Sequence, residues 1–344
     1  MADYGYLNAR VRGLRTRLVS PGFVDGVLAD GSFEAFVNAL SQTAYAPDLE
    51  AARGASPGPG VTLAAVDRAI ASNFQGIARA LLRYAEGEAR TLVGLLLRRY
   101  DVANLKAIAR AFHAGKAGKE REDAVDAVMS ATVGVGELDT ATLQAMAGAR
   151  DLPAAAQALV VAGHPFAEEF RAAVRDYVEE PDLLALELRL DQAHHASVLA
   201  GAREAGAPES FRDYLALEID ATNVLTAVKL RGRELDVEAS FVPGGRHVTP
   251  AQFREIASGA PQAPLPELRG PFSLLREFEG PLEVKLRDGL ERAALALTAD
   301  PLDIGLLTHY LRAKEREIGT LRLLARGTYY GVPAATLRRE LGHA

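Results

Sequence analysis

The sequence predicts an all-α protein, and three observations support this fold class. Apolar residues recur at three- and four-residue steps over most of the chain, which is the spacing of one buried helix face. No stretch shows the sustained alternation of apolar and polar residues that the strands of a larger sheet would have. Residues that commonly cap or end helices stand at the borders of the periodic stretches.

The helical spacing predicts elements along the whole chain. They cover 4–18, a short helix from 33 to 47, long helices over 62–86 and 88–115, then 138–147, 152–161, 165–178, 181–205, 210–232, a helix from 250, 300–326 and 333–341. Between them, 54–60 predicts a surface loop, 116–126 a charged boundary, 237–248 a hairpin or irregular loop, and 261–271 a proline-rich connector.

Capping residues support three of the helix starts. Ser32 can cap the short helix that follows it. Ser210 and Asp213 have the spacing of a capping box, in which a hydroxyl accepts from a first-turn amide and a carboxylate reaches back. Thr249 and Gln252 repeat that spacing, with proline at the first helical position.

Composition limits the classes of protein that the chain can represent. The 344 residues are 49% hydrophobic and 24% charged, as in ordinary globular proteins that bury a core. A net charge of −6 argues against a general nucleic-acid binder, whose affinity depends on neutralising phosphates. The absence of cysteine excludes disulfides, thiolate zinc sites and cysteine nucleophiles.

Neither a signal peptide nor a membrane span is predicted. The first residues interleave charges and have no apolar core of the signal-peptide kind. The longest purely apolar run, Leu92 to Leu97, is far shorter than the roughly 20 residues that cross a bilayer. We therefore expect a protein of the cytoplasmic side, with peripheral membrane association at most.

A short signature recurs in three of the long helices. Each copy has an acidic residue followed three positions later by a polar one: Asp101 and Asn104, Asp220 and Asn223, Glu317 and Thr320. The first two copies lie 119 positions apart and align without gaps, and the third is degenerate. Each is followed by an apolar and basic turn and then a glycine: Gly115, Gly232 and Gly327. A repeat this long predicts three related helical domains, 1–117, 118–235 and 236–344.

The two polar residues of each signature share one patch of the helix surface, because positions i and i+3 are neighbours. In the first copy Leu97 and Ile108 frame this patch, which indicates burial. Buried asparagine needs hydrogen-bond partners, and backbone groups at a helix junction can supply them. We therefore favour a structural role over the alternatives, a solvated polar face or an acid–base or metal site.

Motifs of nucleotide chemistry are missing. Gly115-Lys116 and Gly118-Lys119 resemble the end of a phosphate loop, but neither lysine is followed by serine or threonine and no strand is predicted before them. The sequence thus predicts neither a cofactor nor a small-molecule substrate.

Two alternatives to a structural subunit remain open at this stage. One is a free-standing helical scaffold. The other is a helical metalloenzyme that uses Glu187, Asp191, His194 and His195. Adjacent helical residues point about 100° apart, so both histidines cannot face one ion, although either could join the carboxylates.

Several arginines could meet an acidic partner. We select them by charge alone: Arg10, Arg12, Arg231, Arg233, Arg312 and Arg316. The alternative is that they lie on solvated faces and pair with nearby glutamates.

Three blocks of sequence together resemble one family. They are 4–12 (YGYLNARVR), 214–224 (YLALEIDATNV), and 310–322 (YLRAKEREIGTLR) with Gly327 and 330–333 (YGVP) after it. The chain is similar throughout to the C subunit of the prokaryotic V-type (A/V-type) ATPase, the relative of the d subunit of the eukaryotic enzyme. It departs from the family pattern at His194-His195, where aromatic residues are expected, and at Thr320.

The resemblance implies a rotor component without a catalytic site. Members of this family form a funnel of three similar helical domains around a pseudo-threefold axis. They sit on the membrane ring of proteolipid subunits and receive the central shaft, made of the D and F subunits, in the socket. The chain would then transmit torque between the ATP-driven head and the ring that moves protons or sodium ions.

Overall fold

A computed structural model confirms the all-α fold class. It describes residues 4–55, 60–115, 123, 129, 134–233, 236, 239–260, 263–276 and 281–342. Every regular element in those ranges is a helix. Apart from residue 123, the predicted boundary at 116–126 lies outside the described residues, as does the middle of the predicted loop at 54–60.

Helices of the N-terminal third are α1 Gly5–Arg15, α2 Pro21–Asp30, α3 Phe33–Leu40, α4 Ala46–Gly54, α5 Leu63–Tyr84 and α6 Gly87–His113. The sequence did not predict α2, and it placed a helix end at Pro47. Both Pro21 and Pro47 instead lie in the first turn of a helix. Proline is tolerated there because a first-turn N–H has no intrahelical partner to lose.

The middle of the chain forms α7 Thr140–Ala147, α8 Leu152–Val161, α9 Ala167–Glu179, α10 Leu183–Glu204 and α11 Glu209–Leu230. The last part forms α12 Pro250–Ser258, α13 Leu282–Ala296, α14 Gly305–Tyr329 and α15 Ala334–Leu341, with short 3₁₀ segments at Gly270–Arg276 and Leu297–Ala299. Helix α13 was not predicted. The described part of 237–248 contains turns and no strand, so the irregular loop is correct and the hairpin is wrong.

Two of the three predicted caps are confirmed. The side chain of Ser32 accepts from Ala35 N, and Thr249 forms the complete capping box with Gln252. The cap at Ser210 is wrong, because α11 begins one residue earlier and has no side-chain cap. The Ser210 hydroxyl instead donates to Asp303 Oδ2 at 2.8 Å, which ties α11 to the start of α14.

The predicted glycine stops are confirmed in two copies and wrong in the third. Gly115 and Gly232 adopt left-handed φ angles of 63° and 74° just after α6 and α11. Gly327 lies inside α14, where a Cβ atom would come within 2.4 Å of the Leu337 side chain. That glycine lets α15 pack closely on α14, and the left-handed residue after the helix is Gly331.

Buried side chains of the described residues form a central apolar cluster and peripheral ones. The central cluster joins α1, the second half of α5 and the first half of α6 to parts of α10, α11 and α14. One peripheral cluster contains α7–α9 and another α12 and α13. A further one joins α2–α5 to the end of α14 and to α15, so the two ends of the chain share one core.

Three long helices connect the central cluster with the peripheral ones. The first halves of α6, α11 and α14 contribute Leu96, Leu215 and Leu311 to the central cluster. Their second halves lie in three different peripheral clusters. The three copies of the signature lie where each helix passes from one cluster to the other.

Candidate functional site at the junctions of the long helices

Asp220 holds the loop that precedes α12. Its carboxylate is fully buried and accepts hydrogen bonds from the backbone N–H groups of Arg246, His247 and Val248 at 3.0, 2.9 and 3.0 Å. Gly245 passes so close that a Cβ atom would lie 2.1 Å from Asp220 Oδ1. Three backbone donors therefore meet on one buried carboxylate, which fixes the loop at this point.

Asp101 plays the same part for the loop that precedes α7. Its carboxylate accepts from Glu137 N at 2.8 Å and from Leu138 N at 3.3 Å, and it lies 3.4 Å from Nε2 of buried His164. At Gly136 a Cβ atom would lie 2.2 Å from the carboxylate, as at the glycine beside the second copy. Sequence reasoning missed both glycines and this histidine.

The third copy binds the beginning of the chain. Glu317 Oε2 accepts from Val19 N at 2.5 Å, and Oε1 accepts from the Tyr45 hydroxyl and from Lys314 Nζ, both at 2.7 Å. Lys314 also donates to Tyr45 and to Asn73 Oδ1, at 2.8 and 3.0 Å. This buried ion pair joins the last long helix to α1, α4 and α5 or to the loops beside them.

We call Asp101, Asp220 and Glu317 the anchor carboxylates, because their hydrogen bonds follow one rule. Each accepts the N–H of the aliphatic residue immediately before the N-cap of a short helix: Leu138 before Asp139, Val248 before Thr249, and Val19 before Ser20. With the predicted boundaries, the anchors of the first and second domains bind a backbone N–H of the following domain. The anchor of the third domain binds a backbone N–H of the first.

The polar residue that follows each anchor differs between the copies. Asn223 makes the backbone contacts expected of it, donating to Val242 O and accepting from Val242 N, both at 2.8 Å. Asn104 is buried as predicted. Thr320 is half-buried, and no hydrogen bond joins its side chain to another described residue.

The Asn223→Leu variant is expected to unfold more easily than the wild type. Leucine leaves both Val242 groups without their partner, at a cost of about 1 to 3 kcal/mol each. Thermal and denaturant unfolding would measure the change, with Thr320→Val as the control that should stay within about 0.5 kcal/mol. Unchanged stability with lost partner binding would instead place Asn223 in an interface.

A largely buried charged cluster lies beside the anchors and consists of Arg99, Glu218, Arg312 and Glu315. Arg99 is 3.0 Å from Glu218 Oε1 and 3.4 Å from Glu315 Oε1. Arg312 is 2.8 Å from Glu315 Oε2 and also pairs with Glu218. Only 8% of the Glu218 side chain is exposed.

Two tyrosines complete the charged cluster. The Tyr100 hydroxyl donates to Glu315 Oε1 at 2.6 Å, and Arg312 donates to the Tyr214 hydroxyl. Burial alone would raise the pKa of Glu218, but Arg99 and Arg312 outweigh it and lower this pKa to about 2. The carboxylate is therefore charged throughout the neutral range.

Four of the six predicted partner arginines have contacts within the chain: Arg10, Arg231, Arg312 and, at the surface, Arg316. Arg312 belongs to the charged cluster. Arg231 donates to the carbonyl oxygens of Ile256 and Ala263, both at 2.8 Å, and so holds the end of α12. Arg10 lies on the Tyr84 ring, with its guanidinium carbon 4.4 Å from the ring centre.

Arg12, Arg233 and Arg316 are exposed. Arg12 lies on α1, Arg233 follows α11, and Arg316 lies on α14, where it pairs with Glu291 at 2.9 Å. These three retain side chains that a partner could reach.

The structure gives no geometric support to the metalloenzyme alternative. Glu187 and Asp191 bind Arg110 and Lys106 at 2.6 and 2.5 Å, so both carboxylates are neutralised by cations. His195 Nε2 lies 3.1 Å from the Thr222 hydroxyl. Among the described residues, no three or more potential ligands are arranged around a common point.

His194 and His195 pack as buried side chains. Their ring centres are 5.1 Å apart, and that of His194 is 6.3 Å from Phe166. Burial lowers the pKa of both imidazoles, with the neighbouring His195 and Arg99 adding to the effect at His194. They fill an interior position.

Comparison with known proteins places the chain among rotary ATP synthase components. Residues 7–340 match the family described as ATP synthase (C/AC39) subunit. The chain is 37% identical to the C subunit of the V-type ATP synthase of Thermus thermophilus, over 98% of each protein. It is 34% identical to the C subunit of the V-type ATP synthase of Deinococcus radiodurans, over 98% of this chain and 91% of that protein. The C subunit of the A-type ATP synthase of Haloquadratum walsbyi is 24% identical over 97% of both.

Proposed function

Because the chain belongs to the ATP synthase (C/AC39) subunit family, we propose that it is the socket of the central stalk. As a member it is a structural rather than a catalytic subunit of a V-type ATP synthase. In the proposed role it receives the D and F subunits of the shaft and sits on the proteolipid ring at the cytoplasmic face. Torque would pass through it and link ATP chemistry to the transport of protons or sodium ions.

The full-length match to the C subunit of V-type ATP synthases is the observation that carries this proposal. The fold agrees with it in two respects. Three long helices run from one central cluster into separate peripheral ones, and each is fastened to a short helix by an anchor carboxylate. This arrangement supports three related units, 1–117, 118–235 and 236–344, around a pseudo-threefold axis.

Peripheral association is part of the proposal. Within the ranges that the structure describes, no helix is long and apolar enough to cross a bilayer. Attachment to the membrane would therefore run through the proteolipid ring, and the exposed arginines Arg12, Arg233 and Arg316 are proposed to contact acidic side chains of the partners.

Co-purification tests the role. We expect the tagged chain to retain both the D/F complex and the detergent-solubilised proteolipid ring of the same organism, and to bridge the two in one complex. Capture of neither partner would contradict the proposal and favour the free-standing scaffold.

Charge reversal tests the arginines. Arg12→Glu and Arg233→Glu should weaken capture of a partner while leaving the unfolding temperature unchanged. Arg316→Gln should weaken capture as well, and it should lower the unfolding temperature only slightly because it removes the pair with Glu291. Arg175→Glu on α9, also an exposed arginine, is the control. Equal capture by all four variants would remove these arginines from the interface and leave the socket itself in place.

A further inference from the structure

Three members of the charged cluster occupy equivalent positions of the repeat. Arg99, Glu218 and Glu315 each lie two residues before the anchor carboxylate of their helix. Arg99 and Glu218 are separated by 119 positions, which is the spacing of the signature itself. The equivalence thus rests on sequence, and the contact between the three side chains rests independently on the structure.

Contact between equivalent positions has a geometric meaning. Points related by rotation about an axis come together only where they approach that axis. Arg99 lies 3.0 Å from Glu218 and 3.4 Å from Glu315. The three residues occupy the same position in the three copies of the repeat, and they are nevertheless in contact. The charged cluster therefore marks the place where the three long helices converge.

The composition of the cluster solves a problem that identical copies would create. Three equal charges at this place would repel one another in a buried setting of low dielectric constant. One arginine, two glutamates and Arg312, which lies one turn before Glu315, give two positive and two negative charges. The three copies therefore differ at this position, with arginine in the first and glutamate in the other two. Together with Arg312 they form a hydrogen-bonded cluster without net charge.

Side chains, not backbone packing, make this connection. The three long helices meet through side chains that extend from them, among them the four of the charged cluster. Apolar contacts in the central cluster are non-directional, whereas planar guanidinium groups impose a fixed geometry on the carboxylates that they bind.

We propose that Arg99, Glu218, Arg312 and Glu315 form a joint that holds the three long helices, and the units built on them, in one relative orientation. Burying charged side chains costs more solvation free energy than burying apolar side chains. A role in fixing the geometry accounts for charged residues at this place. The proposal goes beyond the socket function, and its test needs no other component of the ATP synthase.

Pulsed electron–electron double resonance measures the distance between two spin labels, and labels on different units would report the relative orientation of those units. The chain has no cysteine, so exposed positions can be labelled in pairs after Glu50→Cys on α4, Glu179→Cys on α9 and Glu255→Cys on α12. We expect narrow distance distributions in the wild type and broader ones after Glu218→Gln, which leaves two arginines facing one carboxylate. Circular dichroism should show unchanged helix content.

Two further variants decide between charge pairing and simple packing. Glu218→Gln combined with Arg312→Gln restores neutrality through the Arg99–Glu315 pair and should narrow the distributions again. Glu187→Gln removes a carboxylate that binds Arg110 outside the joint, and it should leave the distributions unchanged.

The proposed joint would be contradicted if a folded Glu218→Gln protein gave distance distributions as narrow as those of the wild type. It would also be contradicted if the double variant gave distributions as broad as those of Glu218→Gln alone. If Glu218→Gln does not fold, Glu315→Gln takes its place with the same two outcomes, since that side chain is more exposed. Failure here would leave the socket function untouched, because the measurement is made on the isolated chain.

Discussion

The Asp220→Ala variant is expected to lose at least about 3 kcal/mol of unfolding free energy, since each of three stranded donors costs about 1 kcal/mol or more. The carboxylate accepts three backbone N–H groups, and no other described side chain accepts from them. Urea unfolding monitored by circular dichroism would measure the loss. The loop before α12 should also exchange its amide protons faster.

Asp213→Ala is the matched control on the same helix. Asp213 pairs with Arg246 across a surface where half of the arginine side chain is exposed, so its loss should cost about 1 kcal/mol or less. Asp220→Asn should lie between the two, because an amide keeps one acceptor oxygen but turns an NH₂ group toward backbone donors. Equal stability of Asp220→Ala and Asp213→Ala would show that the loop does not depend on this carboxylate.

Most of the fold could be predicted because apolar spacing in long helices is a local signal. Helices α2, α4 and α13 escaped prediction. In α2, Gly22 and Gly26 weaken the intrinsic helical preference, and the helix is stabilised by burying Val27 and Leu28 against neighbouring helices. Such tertiary support cannot be read from a local pattern.

The site could be predicted only in part, for a related reason. The anchor carboxylates were found because they recur, but their partners are remote: Val19 lies 298 positions from Glu317. Arg99 and Glu218 look in sequence like ordinary charges of a solvated helix face. Their position two residues before each anchor was the available signal, and only contact in space shows that they meet.

The Glu317→Gln variant is expected to lose about 3 to 5 kcal/mol, the usual cost of leaving one member of a buried ion pair without its counter-ion. The Lys314 and Glu317 side chains are 3% and 4% exposed, so water cannot replace the missing charge. The glutamine amide would also face the Val19 N–H that Oε2 now accepts. Because this contact fastens the end of the chain to its beginning, the N-terminal helices should lose protection from hydrogen exchange as well.

Adding Lys314→Met to Glu317→Gln should recover part of the loss, since the stranded charge is removed and the methionine stem still fills the space. Glu168→Gln is the control for the same chemical change at an exposed pair with Arg171, and it should cost about 1 kcal/mol or less. A double variant less stable than the single one would show that the lysine stabilises the fold without its carboxylate.

The cost of Glu317→Gln should also shrink as the pH rises toward about 10. Burial lowers the pKa of Lys314 from its ordinary 10.5, and Glu317 opposes that change. Without Glu317 the pKa of Lys314 in the folded variant falls further. Between this lowered pKa and 10.5, the unfolded variant binds more protons than the folded one. The unfolding free energy of the variant therefore rises with pH in this window.

Tyr45 acts in the same direction. Burial and Glu317 together raise its pKa, so the wild type loses stability above pH 10, where the unfolded tyrosine ionises and the folded one does not. The variant lacks the contribution of Glu317 and loses less. The difference in unfolding free energy between the wild type and Glu317→Gln is therefore expected to be smaller at about pH 10 than at pH 7. Denaturant unfolding of both proteins at the two pH values would measure it. A constant difference would mean that Lys314 stays charged without its partner, held by Tyr45 and Asn73 alone.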